Sequence, residues 1–334
     1  MLPPRQGRAP LTAMPLAPDH EDMTPGKAFL TTEEIRSLSA RSDLWGAALL
    51  LHCWALILGA LAVFLWWPNA LTFVLAVMVI GSRQLGLAIL MHEAAHNALF
   101  KSRKLNEFAG VWLCGAPILA DLASYRHYHL MHHRHTQTEQ DPDLRLSKPF
   151  PTTRASLRRK LIRDITGQTG IKQRAAQVMF ALRLVGEIEG VSSQDLAQAF
   201  HGPVLTRALV ANGVLFAVFW ALGGWWLWVA LWLLPLLTWF QMVLRIRNIA
   251  EHGAVEFSED PLRNTRTTLA GPLERLFLAP YWVNYHLEHH LVMHVPAHNL
   301  PRLHAMLRDK GVTGRMMLAE GYAQVLRAAS ARTA

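Results

Sequence analysis

Two stretches of this chain, residues 44–82 and 208–244, contain no Asp, Glu, Lys or Arg, and the formal charges gather between and around them. In the first, residues 45–67 form a 23-residue uncharged run, about 34 Å long as an α-helix and enough to cross a hydrocarbon core of about 30 Å. Pro68-Asn69 marks a tight turn, and residues 70–91 return as a second apolar run interrupted by Arg83 and Gln84. The second stretch repeats the plan: residues 204–222, a Gly223-Gly224 turn, and a return from Trp225 to about His252. That last helix would be about 42 Å long, with its membrane span over 225–247, a kink at Pro235 and its final turns beyond the bilayer. The pattern predicts an all-α integral membrane protein with four transmembrane helices in two hairpins.

The remaining segments are more polar. Residues 1–44 read as a Pro-rich, partly disordered leader with no evident signal peptide, helical from about Thr31, where Thr31 or Thr32 can cap and Glu33 and Glu34 favour the first turn. The membrane domain is expected over 45–310 and a helical tail over 311–334. Residues 108–124 are apolar but short and broken by Gly115, Pro117 and Asp121, which suits an interfacial segment. Residues 178–200 mix apolar positions with Arg183, Glu187 and Glu189, as an amphipathic surface helix does.

Composition sharpens this picture: 51% of residues are hydrophobic, 12 are Trp, and only 17% are charged, which fits tryptophans in interfacial belts with a minority lining an acyl tunnel. The net charge of +9 does not indicate a nucleic-acid partner, because the basic residues form no single face. They sit instead in the connection between the hairpins, in KSRK at 101–104 and RRKLIR at 158–163, while the turns at 68–69 and 223–224 carry no charge. By the positive-inside rule that connection is cytoplasmic. Arg83 is expected about 20 Å along its helix from the turn, snorkelling to the interface. Cys53 and Cys114, both in apolar runs, imply no disulfide framework.

All the candidate chemistry falls on the cytoplasmic side. His92 and His96 (HEAAH) share a helix face, and His129, His132 and His133 (HLMHH) have the i, i+3, i+4 spacing of another. His286, His289 and His290 (HLEHH) repeat that spacing. Imidazole suits Zn, Cu, Fe and Ni. Because one zinc ion takes four ligands, eight histidines point to two metals held in a cytoplasmic helical cap. HEAAH also matches the zinc-peptidase signature, with Glu93 as general base, but that reading leaves the other two clusters without a role. A metal transporter is disfavoured because transport sites lie near the membrane midplane.

Three such clusters at these separations, with DPD at 141–143 and EHHLVMHVPAHNLPRLH after the third, resemble the membrane fatty-acid desaturase and hydroxylase superfamily. HExxHN at 92–97 and NYHLEHH at 284–290 look most like short bacterial desaturases and sphingolipid-desaturase-like members. The resemblance implies a ninth histidine ligand, His252, with Asn248 reaching a metal through water. It implies two iron ions, O2 as co-substrate and a lipid acyl substrate, in a bacterial inner membrane. Electrons would come from a separate ferredoxin, rubredoxin or cytochrome b5 type carrier. Desaturation is the leading reaction, and hydroxylation, ketolation or terminal-alkene formation share the scaffold. Glu251, Glu288, Asp141 and Asp143 are candidates to orient ligand imidazoles. His127, His135, His294, His298 and His304 break the spacing and are expected outside the ligand set. His294 also departs from the family, where a proline is common nearby. No substrate-binding residue is assigned.

Overall fold

The computed structural model describes residues 24–181 and 202–333. It is mostly helical, and four of its helices are long and apolar enough to cross a membrane: Asp43–Trp66, Ala70–Ala95, Pro203–Gly223 and Trp225–His252. We number the elements used below as α1 (Thr32–Leu38), α2 (Asp43–Trp66), α3 (Ala70–Ala95), α4 (Leu122–His135), α5 (Arg154–Ile165) and α6 (Gln168–Ala181). They continue as α7 (Gly202–Gly223), α8 (Trp225–His252), α9 (His286–Leu291), α10 (Leu300–Asp309) and α11 (Tyr322–Ala329). Most of the amphipathic helix expected over 178–200 lies outside the described residues.

Local chemistry sets the ends of the long helices. The Ser42 hydroxyl accepts from the Trp45 amide at the start of α2. Asn69 accepts from the amides of Leu71 and Thr72, and Thr72 Oγ1 accepts from the Asn69 amide, so the turn after α2 becomes the cap of α3. α2 and α3 then pack along each other. α2 also lies close to the segment that follows α3, at Gly46, where a Cβ would stand 2.2 Å from the Leu99 carbonyl oxygen. α3 ends just after its histidines because Asn97 adopts φ of 55°, a left-handed conformation that asparagine tolerates.

The irregularity in α8 is not the simple kink expected at Pro235. A π-helical turn spans Val229–Leu233 and regular backbone resumes at Leu234, with the break at Thr238 (φ −119°, ψ −86°). Proline has no amide to donate and crowds the preceding turn, and the wider turn absorbs that crowding. Side chains add local donors near the break: Gln241 Nε2 donates to Leu236 O at 3.1 Å and Thr238 Oγ1 to Leu234 O at 2.6 Å.

Arg83 does not snorkel. It is 2% exposed, donates to the Leu276 carbonyl and lies over the Tyr281 ring. Its two neighbours in sequence join it: Ser82 Oγ donates to Phe277 O at 2.9 Å, and Gln84 Nε2 to Trp232 O at 2.9 Å. α3 faces protein rather than lipid at this level, so the cation reaches a partner inside. The bonds to Leu276 and Phe277 fix the segment that leads into α9, and the bond to Trp232 ties α3 to α8.

Residues 108–124 form a π-helical turn (Ala109–Gly115), a 3-10 turn (Ala116–Ile118) and a 95° bend into α4. Asp121 accepts from the Ser124 amide at 2.9 Å and caps α4. Around α9, Leu30 and Leu38 from the N-terminal segment are buried with Leu287, Leu291, Leu303 and Leu307. The all-α expectation misses one small ladder: Thr267–Thr268 pairs in parallel with Leu318–Ala319. Two residues per strand are too few to leave a period in the sequence.

Candidate metal centre

The nine histidines converge from four segments and sort into two groups. His92, His96, His129, His133 and His289 form one, and His132, His252, His286 and His290 the other, with candidate ligand atoms within 4.8 Å of one another in each. All but His133 are buried. Helix geometry explains the sorting. Residues i and i+4 share a face more closely than i and i+3, so His129 and His133 point to the five-histidine group and His132 to the other. On α9 the assignment is mirrored: His286 and His290 serve the four-histidine group and His289 crosses to the first. Each HxxHH cluster therefore bridges both groups.

α3 supplies two members of the first group at i and i+4, whereas α8 supplies only His252 to the second. The position four residues before His252 is Asn248. It lines a small cavity of about 30 Å³ with His132, His252 and His286, space for one water by volume.

The contacts within each group fit a metal better than a set of hydrogen bonds. His252 Nε2 lies 2.8 Å from His286 Nε2 and 3.1 Å from His132 Nε2, and His286 Nε2 lies 3.1 Å from His290 Nε2. In the other group His133 Nε2 is 2.9 Å from His129 Nε2 and 3.1 Å from His289 Nε2. One nitrogen facing two others cannot share a proton with both, but nitrogens about 3 Å apart are neighbours on a shell of about 2.0–2.1 Å around an ion. His92 Nε2 is buried with no hydrogen-bond partner, a costly arrangement unless a lone-pair acceptor sits there. The residues present therefore fit two metal ions.

Protonation agrees with a ligand role. Burial, reinforced by neighbouring imidazoles, pushes His129, His133, His286, His289 and His290 well below the ordinary imidazole range, and neutral imidazole is the form that binds metal. Burial opposes charge on His132 too. There the bond to Asp141 and the charge of Asp143 outweigh it, and His132 is raised.

The far nitrogens are oriented by other groups. His132 Nδ1 lies 2.8 Å from Asp141 Oδ1, His286 Nδ1 3.5 Å from Glu251 Oε1, and His290 Nδ1 3.2 Å from Thr136 Oγ1. Asp141 is itself held by the amides of Gln137 and Asp143, both at 2.8 Å. Glu288 behaves differently from the other carboxylates: it bonds Thr267 Oγ1 and His304 Nδ1, and so braces α9 rather than a ligand. Glu93 lies 3.4 Å from His92 Nδ1 and accepts from the Ala297 amide at 2.8 Å. That carboxylate ties the first cluster to the chain beyond the third and is not presented as a base to a substrate. Neither histidine group contains His127, His135, His294, His298 or His304.

Three participants were not singled out from the sequence. Tyr125 stacks on His129 with ring centroids 5.2 Å apart, and its i−4 spacing from His129 was readable. Arg247 pairs with Glu251 and donates to Asn248 Oδ1 at 3.4 Å, and its i, i+4 spacing to Glu251 was also visible. Thr136 had no such signal. Beside the centre, a cavity of about 530 Å³ is lined by Leu85, Ile89, Phe240 and Leu244 and by Tyr125, the ring stacked on His129.

These findings agree with known proteins. The chain is 27% identical over 242 residues to a dihydrorhizobitoxine desaturase of Bradyrhizobium elkanii, a match covering 69% of this chain and 65% of that relative, somewhat less than two thirds of its length. The family model described as Fatty acid desaturase matches residues 64–316, a range that includes all nine histidines, Asn248 and three of the four apolar helices in full. Four membrane-length helices and two converging histidine groups are thus carried by a chain that belongs to the fatty acid desaturase family.

Proposed function

We propose that this protein is an O2-dependent di-iron oxidoreductase of the membrane that introduces a carbon–carbon double bond into a lipid acyl chain. The observation that carries this reading is the division of nine largely buried, largely neutral histidines into groups of five and four. In the proposal His92, His96, His129, His133 and His289 hold one iron. His132, His252, His286 and His290 hold the other, with Asn248 completing it through water in the adjoining small cavity. The iron pair, when bound, supplies O2 activation strong enough to remove hydrogen from unactivated CH2 groups. The chain's own residues set the geometry: Asp141, Glu251 and Thr136 orient imidazoles, and Tyr125 walls the site against the large cavity. The overall change is balanced by one O2, two electrons and two protons, giving an alkene and two waters. The electrons come from a separate ferredoxin, rubredoxin or cytochrome b5 type carrier.

In the membrane we place α2 with α3 and α7 with α8 as two hairpins, and the histidine centre in a cap on the cytoplasmic side. The basic residues between α3 and α7 support that orientation. Cells expressing the gene, analysed by lipid mass spectrometry, test the reaction. Products lighter by two hydrogens are expected, and products heavier by one oxygen would replace desaturation with hydroxylation.

A further inference from the structure

The large cavity beside the centre is not uniform. With its apolar residues it is also lined by Asp121, Gln140, Gln173, Arg174 and Gln177. Asp121 is committed elsewhere, capping α4 and lying 3.6 Å from Arg207. Arg174 is different. Its Nη1 donates to Gln177 Oε1 at 2.6 Å and weakly to Leu119 O at 3.5 Å, its Nε is buried with no hydrogen-bond partner, and among the described residues no carboxylate lies within ion-pair distance. Burial pushes it down to about 10, so it remains a cation at neutral pH. A partly buried guanidinium with no counter-charge among the described residues is costly, and its fork matches carboxylate and phosphate. The wall it touches is also unusual, since Leu119 holds the left-handed conformation at φ of 62°.

We propose that Arg174 is the head-group anchor of the substrate site. An anionic amphiphile seats its carboxylate or phosphate on this guanidinium and runs its chain inward to Tyr125, so the oxidised carbon is counted from the charged end. The proposal rests on the reading that the histidine centre oxidises an acyl chain. Distance supports it: residues 122–125 are helical, so the Cα atoms of Leu119 and Tyr125 are at most about 15 Å apart. The head group is therefore held a fixed, short distance from the ring stacked on His129.

Binding and regiochemistry test the two readings separately. Detergent-purified parent, Arg174→Gln and Arg174→Lys are first matched for iron content and monodispersity. They are then titrated calorimetrically with palmitate, with palmitoyl lysophosphatidate and with uncharged hexadecanol. Parent protein is expected to prefer a charged probe over hexadecanol by about 10- to 100-fold. Gln should abolish that preference without weakening hexadecanol, and Lys should restore part of it. Whether palmitate or lysophosphatidate is preferred identifies carboxylate or phosphate as the head. In turnover with saturated probes of the preferred head and different lengths, the double bond should stay at one distance from the head. Equal binding of charged and uncharged probes by parent, equal loss of both in Arg174→Gln, or a double bond that keeps its distance from the methyl end overturns the anchor. Charge-selective binding lost in Arg174→Gln, with no oxidised product from any probe, would instead retain the anchor and remove the acyl-oxidation reading.

Discussion

Replacing Asp141 by Asn removes the charge that orients one ligand while changing almost nothing in size. The carboxylate accepts from His132 Nδ1 and from the Asp143 amide through Oδ1, and from the Gln137 amide through Oδ2, all at 2.8 Å. Both side chains of the Asp141–His132 pair are almost completely buried, at 1% and 2% exposure. An asparagine keeps one acceptor oxygen, so its NH2 group must oppose one of these donors, at a cost of about 1–3 kcal/mol. Partners behind a metal-bound histidine typically contribute 10- to 100-fold in affinity, about 1.4–2.7 kcal/mol. The loss should fall on one iron only, because His132 belongs to the four-histidine group. Titrating metal-stripped protein with ferrous iron against a competing chelator should resolve two sites in the parent. In Asp141→Asn the weaker site should move by about 10- to 100-fold and the other by less than about threefold. Asp143→Asn should have a smaller effect, since its oxygen is 3.8 Å from His132 Nδ1. Equal weakening of both sites, or a larger effect from Asp143→Asn, would refute the division into two groups.

Other consequences can be checked alongside. His289→Ala and His286→Ala should each lower bound iron toward one equivalent, and the surviving ion should differ spectroscopically between them, because these histidines lie in different groups. Asp164, fully buried and paired with Arg245 while accepting from Thr169, joins α5 to α8; Asp164→Asn should cost about 3 kcal/mol in denaturant unfolding. Gly46→Ala forces a Cβ to 2.2 Å from Leu99 O, and should destabilise by about 1–3 kcal/mol, read as a lower melting temperature. Removing metal with a chelator should lower that temperature too, since an ion at a hundredfold over its dissociation constant stabilises by about 2.7 kcal/mol.

The sequence was most informative where lipid and metal impose one-dimensional rules. A helix in hydrocarbon must be apolar for about 20 residues, so all four long helices could be read from missing charges. Ligands on one helix must recur at three or four residues, so the histidine clusters could be read as well. What depends on packing between distant segments could not. The spacing in HLMHH turns His132 away from His129 and His133 but does not say toward which partners, because that follows from where α8 and α9 stand. Arg83 looked like a snorkelling cation because sequence spacing gives its depth along α3, not whether lipid or Leu276 faces it. The break at Thr238 rather than at Pro235 depends on a wide turn that absorbs the proline upstream. The Thr267–Leu318 pairing joins segments distant in sequence and has no local cause.

The metal content of the protein bears most directly on the account. Expressed in iron-replete medium and purified without chelator, the chain should carry two iron ions per polypeptide by elemental analysis. One equivalent of zinc with no iron would contradict the di-iron centre.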